Sequence, residues 1–294
     1  TYTYVILFGC RMNIITGEKF QSLCDHYISK ELDSEVELKG TTESEKYLDI
    51  ESFDFTDFDN KEMVYCNSGL VSATKQKLID LKLFDKLQQF KNPLILHNSD
   101  QRFYEKQLEY LDIPNCKKIY TQNMDVVHDD VIPLPIGVAN SCWKWGDLSV
   151  WDKILKEDIQ KDKFIHFNFQ KEGGLREENN RVYCYNSMIK KGIEFLPNVN
   201  YENYLKTLST YKYSVSPKGN GIDCHRMWEC FYLKVIPICE RSILTKYFSK
   251  IFPIVLIDDW NDLDLESLHK NYDKNNNWNN YYQLDFKVFC KGVM

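Results

Sequence analysis

The run Tyr211 to Glu240, YKYSVSPKGNGIDCHRMWECFYLKVIPICE, constrains the fold more than any other stretch of the chain. It opens on a short apolar segment, Tyr213 to Ser216, that reads as a strand. A turn rich in Gly and Pro follows: Pro217, Lys218, Gly219, Asn220, Gly221. Asp223 then stands where a helix N-cap is expected, and Cys224 to Leu233 has helical periodicity, with Met227, Trp228 and Phe231 on one face. Val235 to Cys239 is a second apolar run of strand length. Strand, glycine loop, helix and strand in this order are half of a parallel α/β sheet.

The polar residues of that helix suggest chemistry. His225, Arg226 and Glu229 are three and four apart, away from the Met/Trp/Phe face. A helix N-terminus after a glycine loop offers free N–H groups and the positive end of a dipole to a phosphate. Gly219 and Gly221 allow close backbone approach. Arg226 can fork onto a pyrophosphate and Glu229 can accept from vicinal hydroxyls. An ordinary strand-to-helix turn with a surface Arg/Glu pair has the same spacing, and the two readings stand level at this point.

The run SPKGNGIDCHRMWECFYLKVIPI resembles the donor-site signature of the exostosin-type (family 47-like) glycosyltransferases, with Pro217, Gly219, Gly221, Asp223, Arg226, Trp228, Glu229 and Pro237 at the matching places. The middle stretch IYTQNMDVVHDDVIPLPIGVANSCWKWGD also resembles the short, soluble exostosin-like enzymes of large DNA viruses and bacteria. The likeness extends from Leu94 to Trp260 and fades before that. It implies a GT-B-like α/β fold, two Rossmann-like domains with a cleft between them. It implies an inverting, metal-independent transfer from a nucleotide sugar, with a UDP-linked pentose or hexose such as xylose as donor and a glycan hydroxyl as acceptor. It also gives Glu229 the hydroxyl-binding role.

With 294 residues and 43% hydrophobic content, the chain can fill one large or two modest α/β domains. Residues 1–155 are expected to form an N-terminal, acceptor-side domain and residues 156–294 the donor domain, with the last segment crossing back. A net charge of −6 argues against a broad nucleic-acid surface, so any anion site is local. The 10 Cys show no C-x-x-C spacing and read as free thiols of a reducing compartment, which favours the cytoplasm, or a host's cytoplasm for a viral chain. Tyr4 to Phe8 is too short to span a bilayer. Aromatics are abundant, with 19 Tyr, 17 Phe and 6 Trp, and composition alone assigns them no role beyond packing.

Earlier in the chain, Tyr2 to Phe8 reads as a strand, Gly17 to Ser29 as a helix and Glu31 to Asn60 as an acidic excursion. Asp57-Phe58-Asp59 within that excursion is formally a metal-type D-x-D, but it precedes a strand instead of ending one. Three strands then end in polar caps: Met63 to Cys66 in Asn67-Ser68-Gly69, Pro93 to His97 in Asn98-Ser99-Asp100, and Lys118 to Thr121 in Gln122-Asn123-Met124-Asp125. Amphipathic segments, Thr74 to Phe90 and Arg102 to Leu111, separate them. Such alternation implies parallel strands, and ligands bind beyond their C-terminal ends. Val131 to Val138 is read as a strand, and its prolines suggest a sheet edge. In the second half, strands are expected at Lys163 to Phe169, Ile193 to Leu196 and Phe252 to Ile257.

Sugar transfer needs a held diphosphate and an acceptor for the proton of the attacking hydroxyl. Pro217, Lys218, Gly219, Asn220, Gly221, Asp223, His225, Arg226, Glu229 and Arg181 are the candidates for the donor. Asp100 is the first candidate base, with His97 next and Asp125, Glu18 and Asp25 behind them; Asp100 as a simple helix cap is the competing reading. No ligand spacing calls for a metal ion or a bound cofactor. Two other classes stay open: an NAD-type oxidoreductase, against which stand the missing third glycine and Glu240 read as too near the loop, and a non-catalytic module that binds nucleotides or glycans.

Overall fold

The computed structural model describes residues 12–24, 26–28, 38–40, 64–67, 76, 94–113, 116–141, 143–171 and 181–294. The expected strand at Tyr2 to Phe8, the D-x-D at 57–59, Asp25, the loop at 172–176 and nearly all of Thr74 to Phe90 lie outside them.

Two sheets organise the described chain. The first holds β1 (His26–Ile28), β2 (Leu38–Gly40), β3 (Val64–Asn67), β4 (Leu94–His97), β5 (Ile119–Thr121) and β6 (Val131–Pro133), in the order β2-β1-β3-β4-β5-β6. All its pairings are parallel except β1 with β2. The second holds β7 (Lys163–His166), β8 (Tyr211–Val215), β9 (Ile236–Glu240) and β10 (Val255–Ile257), all parallel, in the order β10-β9-β8-β7. The fold is therefore mixed α/β with largely parallel sheets. β4 and β5 are buried at every position, which suits short, continuous apolar runs covered on both faces.

The described helices are α1 (Gly17–Ser22), α2 (Leu148–Ile154), α3 (Arg181–Lys190), α4 (Tyr201–Ser209), α5 (His225–Tyr232), α6 (Ile243–Phe248), α7 (Leu265–Lys270), α8 (Tyr272–Asn275) and α9 (Phe286–Val293). Several boundaries correct the sequence reading. The helix from Gly17 stops at Ser22, and the chain turns into β1 at His26, where Tyr27 and Ile28 prefer extended backbone. Val131 to Val138 shortens to β6, because Pro133 and Pro135 have no N–H to give a ladder; β6 is the sheet edge. Arg102 to Leu111 contains a 3-10 segment, Glu105–Asp112, in place of an α-helix. Ile193 to Leu196 is irregular: Leu196 N–H reaches Phe167 O at 2.9 Å without a ladder.

The apolar face of α5 forms because Trp228 and Phe231 lie one turn apart. Trp228 meets Phe248 at 4.9 Å and Phe231 meets Phe252 at 4.9 Å between ring centroids. Burying a side chain the size of Trp228 contributes roughly 5 kcal/mol by area. The helix ends at Tyr232 with Leu233 as its C-cap; Lys234 beyond it has a left-handed φ of 52°, and Val235 N–H closes onto Cys230 O at 2.8 Å.

One apolar core runs from the first sheet to the helices of the second. The Tyr232 hydroxyl accepts from Ile15 N–H at 2.8 Å and donates to Leu284 O at 2.8 Å, and Trp151 packs on Tyr232 and Tyr201. The C-terminal helix α9 returns to the first sheet: Phe20 of α1 meets Phe286 and Phe289, and the Tyr120 hydroxyl reaches Val293 O. Among the described residues no helix is long and apolar enough to cross a membrane.

Candidate active site

A cavity of about 230 Å³ lies beyond the C-terminal ends of β8 and β9. Ser216 and Lys218 follow β8; Ile222, Cys224 and Met227 come from the loop and first turn of α5. Glu240 ends β9, and Arg241, Ser242 and Thr245 lead into α6. Arg102 and Asp125 close the cavity from the first sheet, held side by side at 3.6 Å. Their backbones are fixed because Phe103 N–H donates to Asn123 O and Asp125 N–H donates to Phe103 O, joining the segments that follow β4 and β5.

Lys218 Nζ and the Glu240 carboxylate have no hydrogen-bond or ion-pair partner among the described residues, although both line this cavity. Arg241 is partly engaged by Asp258 at 2.7 Å. Ser242 and Thr245 form a capping box, Ser242 Oγ accepting from Thr245 N–H at 3.1 Å and Thr245 Oγ1 accepting from Ser242 N–H at 2.8 Å. The cavity thus presents three cations, of which Arg102 and Arg241 are each beside a carboxylate, the Glu240 carboxylate and hydroxyls above an apolar floor that includes Cys224 and Cys239.

The glycine loop itself is shaped by protein contacts. A Cβ on Gly221 would stand 2.6 Å from the Asn123 side-chain amide, and one on Gly219 would stand 3.1 Å from the Arg181 guanidinium. Asn123, with a left-handed φ of 53°, accepts from Asp223 N–H at 2.8 Å and donates to Ser99 O at 2.7 Å. Arg181 donates to Lys218 O at 3.1 Å and to Gln170 O at 3.0 Å. Pro217 is buried where the loop begins. Asn220 reaches across to the exposed Asp100, its Nδ2 donating at 3.3 Å. The two polar caps after β4 and β5 therefore hold the loop in place.

Asp223 is not the N-cap of α5. Cys224 holds that position, without a side-chain cap bond. The Asp223 carboxylate instead accepts from Ile136 N–H at 2.7 Å and from the Trp228 indole N–H at 2.9 Å, which ties α5 to the segment after β6. Burial pushes its pKa up to about 7, against the pull of those N–H donors.

His225, Arg226 and Glu229 share a helix but not a site. His225 Nδ1 lies 2.8 Å from Gly137 O. Arg226 donates to Asn168 O after β7 and lies over the Tyr204 ring at 5.4 Å. Glu229 is buried, and its carboxylate accepts from the Tyr204 and Tyr201 hydroxyls at 2.7 and 3.1 Å. None of the three lines the cavity. A pattern of three and four residues put them on one flank; α4 then covered Arg226 and Glu229, and the segment after β6 took His225.

His97 is fully buried, with Nε2 3.0 Å from Pro135 O, an atom that only accepts, so the proton of the neutral ring sits on Nε2. Burial pushes its pKa down to about 4. Glu18 is buried at the start of α1, its carboxylate accepting from Ser141 Oγ at 2.8 Å. His97 and Glu18 face the segment after β6, away from the residues of the cavity. Among the described residues no group of three or more His, Cys, Asp or Glu is placed to hold a metal ion.

The residues that sequence reasoning missed are Glu240, Arg241, Ser242, Thr245 and Arg102. The signal was present: a polar run, Glu240-Arg241-Ser242, ends an apolar strand, as the caps of the first sheet do. Glu240 follows the glycine loop by the distance, about 20 residues, at which an acidic residue ends the next strand of a dinucleotide fold. The reading of Glu240 as too near is corrected by its place at the end of β9, beside β8.

A crystal structure of an α1,3-fucosyltransferase is similar over 80% of this chain and 71% of its own, with 10% sequence identity and a TM-score of 0.39. A likeness at that score carries no argument about fold or chemistry. No protein-family model matches the chain, and no curated protein matches it.

Proposed function

We propose that the chain is a glycosyltransferase that holds a nucleotide-sugar donor, UDP-linked, in the cavity beyond β8 and β9 and receives a glycan hydroxyl from the first-sheet side. The observation that carries this reading is the meeting of two unpartnered, opposite charges, Lys218 and Glu240, over the ends of adjacent parallel strands. Nucleotides bind at such strand ends, with phosphates at the glycine loop and ribose hydroxyls on an acidic residue of the next strand. Lys218 and Arg241 take the diphosphate, and Glu240 takes the ribose hydroxyls in place of Glu229, whose oxygens are already used. The exostosin-type signature at 216–238 supports the same region as the donor side.

In an inverting step the acceptor oxygen forms its bond to the sugar C1 as the C1–O bond to the diphosphate breaks on the opposite face. The acceptor proton passes to a carboxylate of the facing wall: Asp125 within the cavity, or Asp100 at the rim beside Asn220. The leaving diphosphate keeps the electron pair, and Lys218 and Arg241 stabilise that charge without a metal ion. Two Rossmann-like lobes with the cleft between their strand ends, a GT-B-like arrangement, are part of this proposal.

Glu240 also favours a second reading, an NAD-type oxidoreductase, because it stands at the ribose position of a dinucleotide fold. Thermal shift with UDP, UDP-sugars and NAD separates the two. Stabilisation by UDP, lost in Lys218→Ala and Glu240→Ala, supports the transferase. Stabilisation by NAD alone sinks it.

A further inference from the structure

Of the six tryptophans, Trp151, Trp228 and Trp260 are completely buried, while Trp143 and Trp145 are 56% and 40% exposed. The exposed two are stacked, their rings within 4° of parallel and their centroids 6.3 Å apart. Lys144 stands over one of them, its Nζ 5.0 Å from the Trp145 ring. A pair of open indoles is costly to leave in water and marks a surface that meets something.

The loop that presents them is prearranged. Trp143 N–H donates to Asn140 O and Gly146 N–H donates to Trp143 O, two turns in succession. Gly146 is required there, since a Cβ would lie 1.9 Å from Asn140 O. Asn140 donates to Asn98 Oδ1 and accepts from Glu18 N–H, and Ser141 Oγ donates to Glu18. Asp147 caps α2 at the far end. The same chain segment touches α5 at Ile136 and Gly137, through Asp223 and His225. Trp143 is six positions past Gly137 and Trp145 eight, so their Cα atoms lie within about 30 Å of that contact.

We propose that Trp143 and Trp145 form a glycan subsite, the exposed indole surface of the stacked pair receiving the apolar C–H face of a sugar ring of the acceptor. The class of ligand rests on the transferase reading; the rigid, parallel indole pair is independent of it. Flat aromatic rings held with little conformational freedom supply large contact area at small entropic cost, and a ring-shaped ligand with a C–H face and a polar rim fits them.

The test uses cellohexaose, xylohexaose and chitohexaose as probes, titrated into the full chain and followed by tryptophan emission and calorimetry. At least one is expected to bind, with an emission shift. Trp143→Ala and Trp145→Ala should each weaken that binding about tenfold or more, and Trp143→Tyr should retain part of it. Both alanine variants should keep the wild-type melting temperature and the stabilisation by UDP. The subsite is overturned if none of the three saccharides binds, or if both alanine variants bind as wild type does. It is also overturned if the two substitutions convert a wild-type dimer to a monomer, since the indoles would then be covered by a second copy. Saccharide binding without UDP binding would sustain the subsite and sink the transferase; UDP binding without saccharide binding would do the reverse.

Discussion

Two regions of this molecule carry nearly the same charges and differ in everything else. On the α4 side of α5, Arg226 and Glu229 are closed in: the arginine is held by Asn168 O and the Tyr204 ring, the glutamate by two tyrosine hydroxyls. On the other side, Lys218 and Glu240 line an open cavity, and their side chains have no partner among the described residues. A buried charge must be satisfied by the protein itself, whereas a charge at a cavity rim stays hydrated until a ligand replaces the water. The first pair is therefore structure, and the second is what a ligand would meet.

The sharpest way to break that contrast is Glu229→Ala. It leaves the Tyr201 and Tyr204 hydroxyls without the carboxylate that accepts from them, and should cost about 3–5 kcal/mol in urea denaturation. Survival of full stability would show that this flank is not a satisfied network.

Asp223 gives a pH signature of the same burial. Its pKa is raised to about 7 in the folded chain, so the native state holds the proton more tightly than the unfolded one. Its contribution is fully present below the unfolded value, near pH 4, and is lost as pH rises through about 7. Asp223→Asn should remove that pH dependence, about 4 kcal/mol between pH 4 and 7, read as the urea midpoint against pH. Parallel profiles for the two proteins would contradict the assignment.

Gly221→Ala should cost about 1–3 kcal/mol, because the new methyl meets the Asn123 amide. Combining it with Asn123→Ala should recover part of the loss, a coupling that a double-mutant cycle measures directly. Purely additive costs would mean that this close approach does not set the loop.

On the cavity side the effects are smaller and fall on binding, not on folding. Lys218→Ala should weaken UDP about tenfold in calorimetry while leaving the melting temperature alone. Arg241→Ala should do less, since Asp258 already shares that guanidinium. A larger loss of UDP binding from Arg226→Ala in a chain that still folds would reverse the comparison between the two regions.

The strand-loop-helix-strand unit was legible because its cues are local. Apolar runs of strand length flank a Gly/Pro turn, and Met227, Trp228 and Phe231 mark one helix face. The polar strand ends after β4 and β5 were legible for the same reason, and Asn98 and Asn123 adopt the left-handed backbone that asparagine tolerates. Illegible was which flank of α5 would be covered. That depended on α4, whose Tyr201 and Tyr204 arrive from more than twenty positions upstream.

The chain by itself determined the parallel α/β character, the glycine turn and the chemistry available near it, because each follows from periodicity and residue type over a few turns. Only the tertiary structure decided that Gly219 and Gly221 admit Arg181 and Asn123, that Asp223 joins α5 to the segment after β6, and that Glu240 faces the cavity while Glu229 does not. Those outcomes come from contacts between distant segments, and spacing along a helix names a face without saying what will cover it.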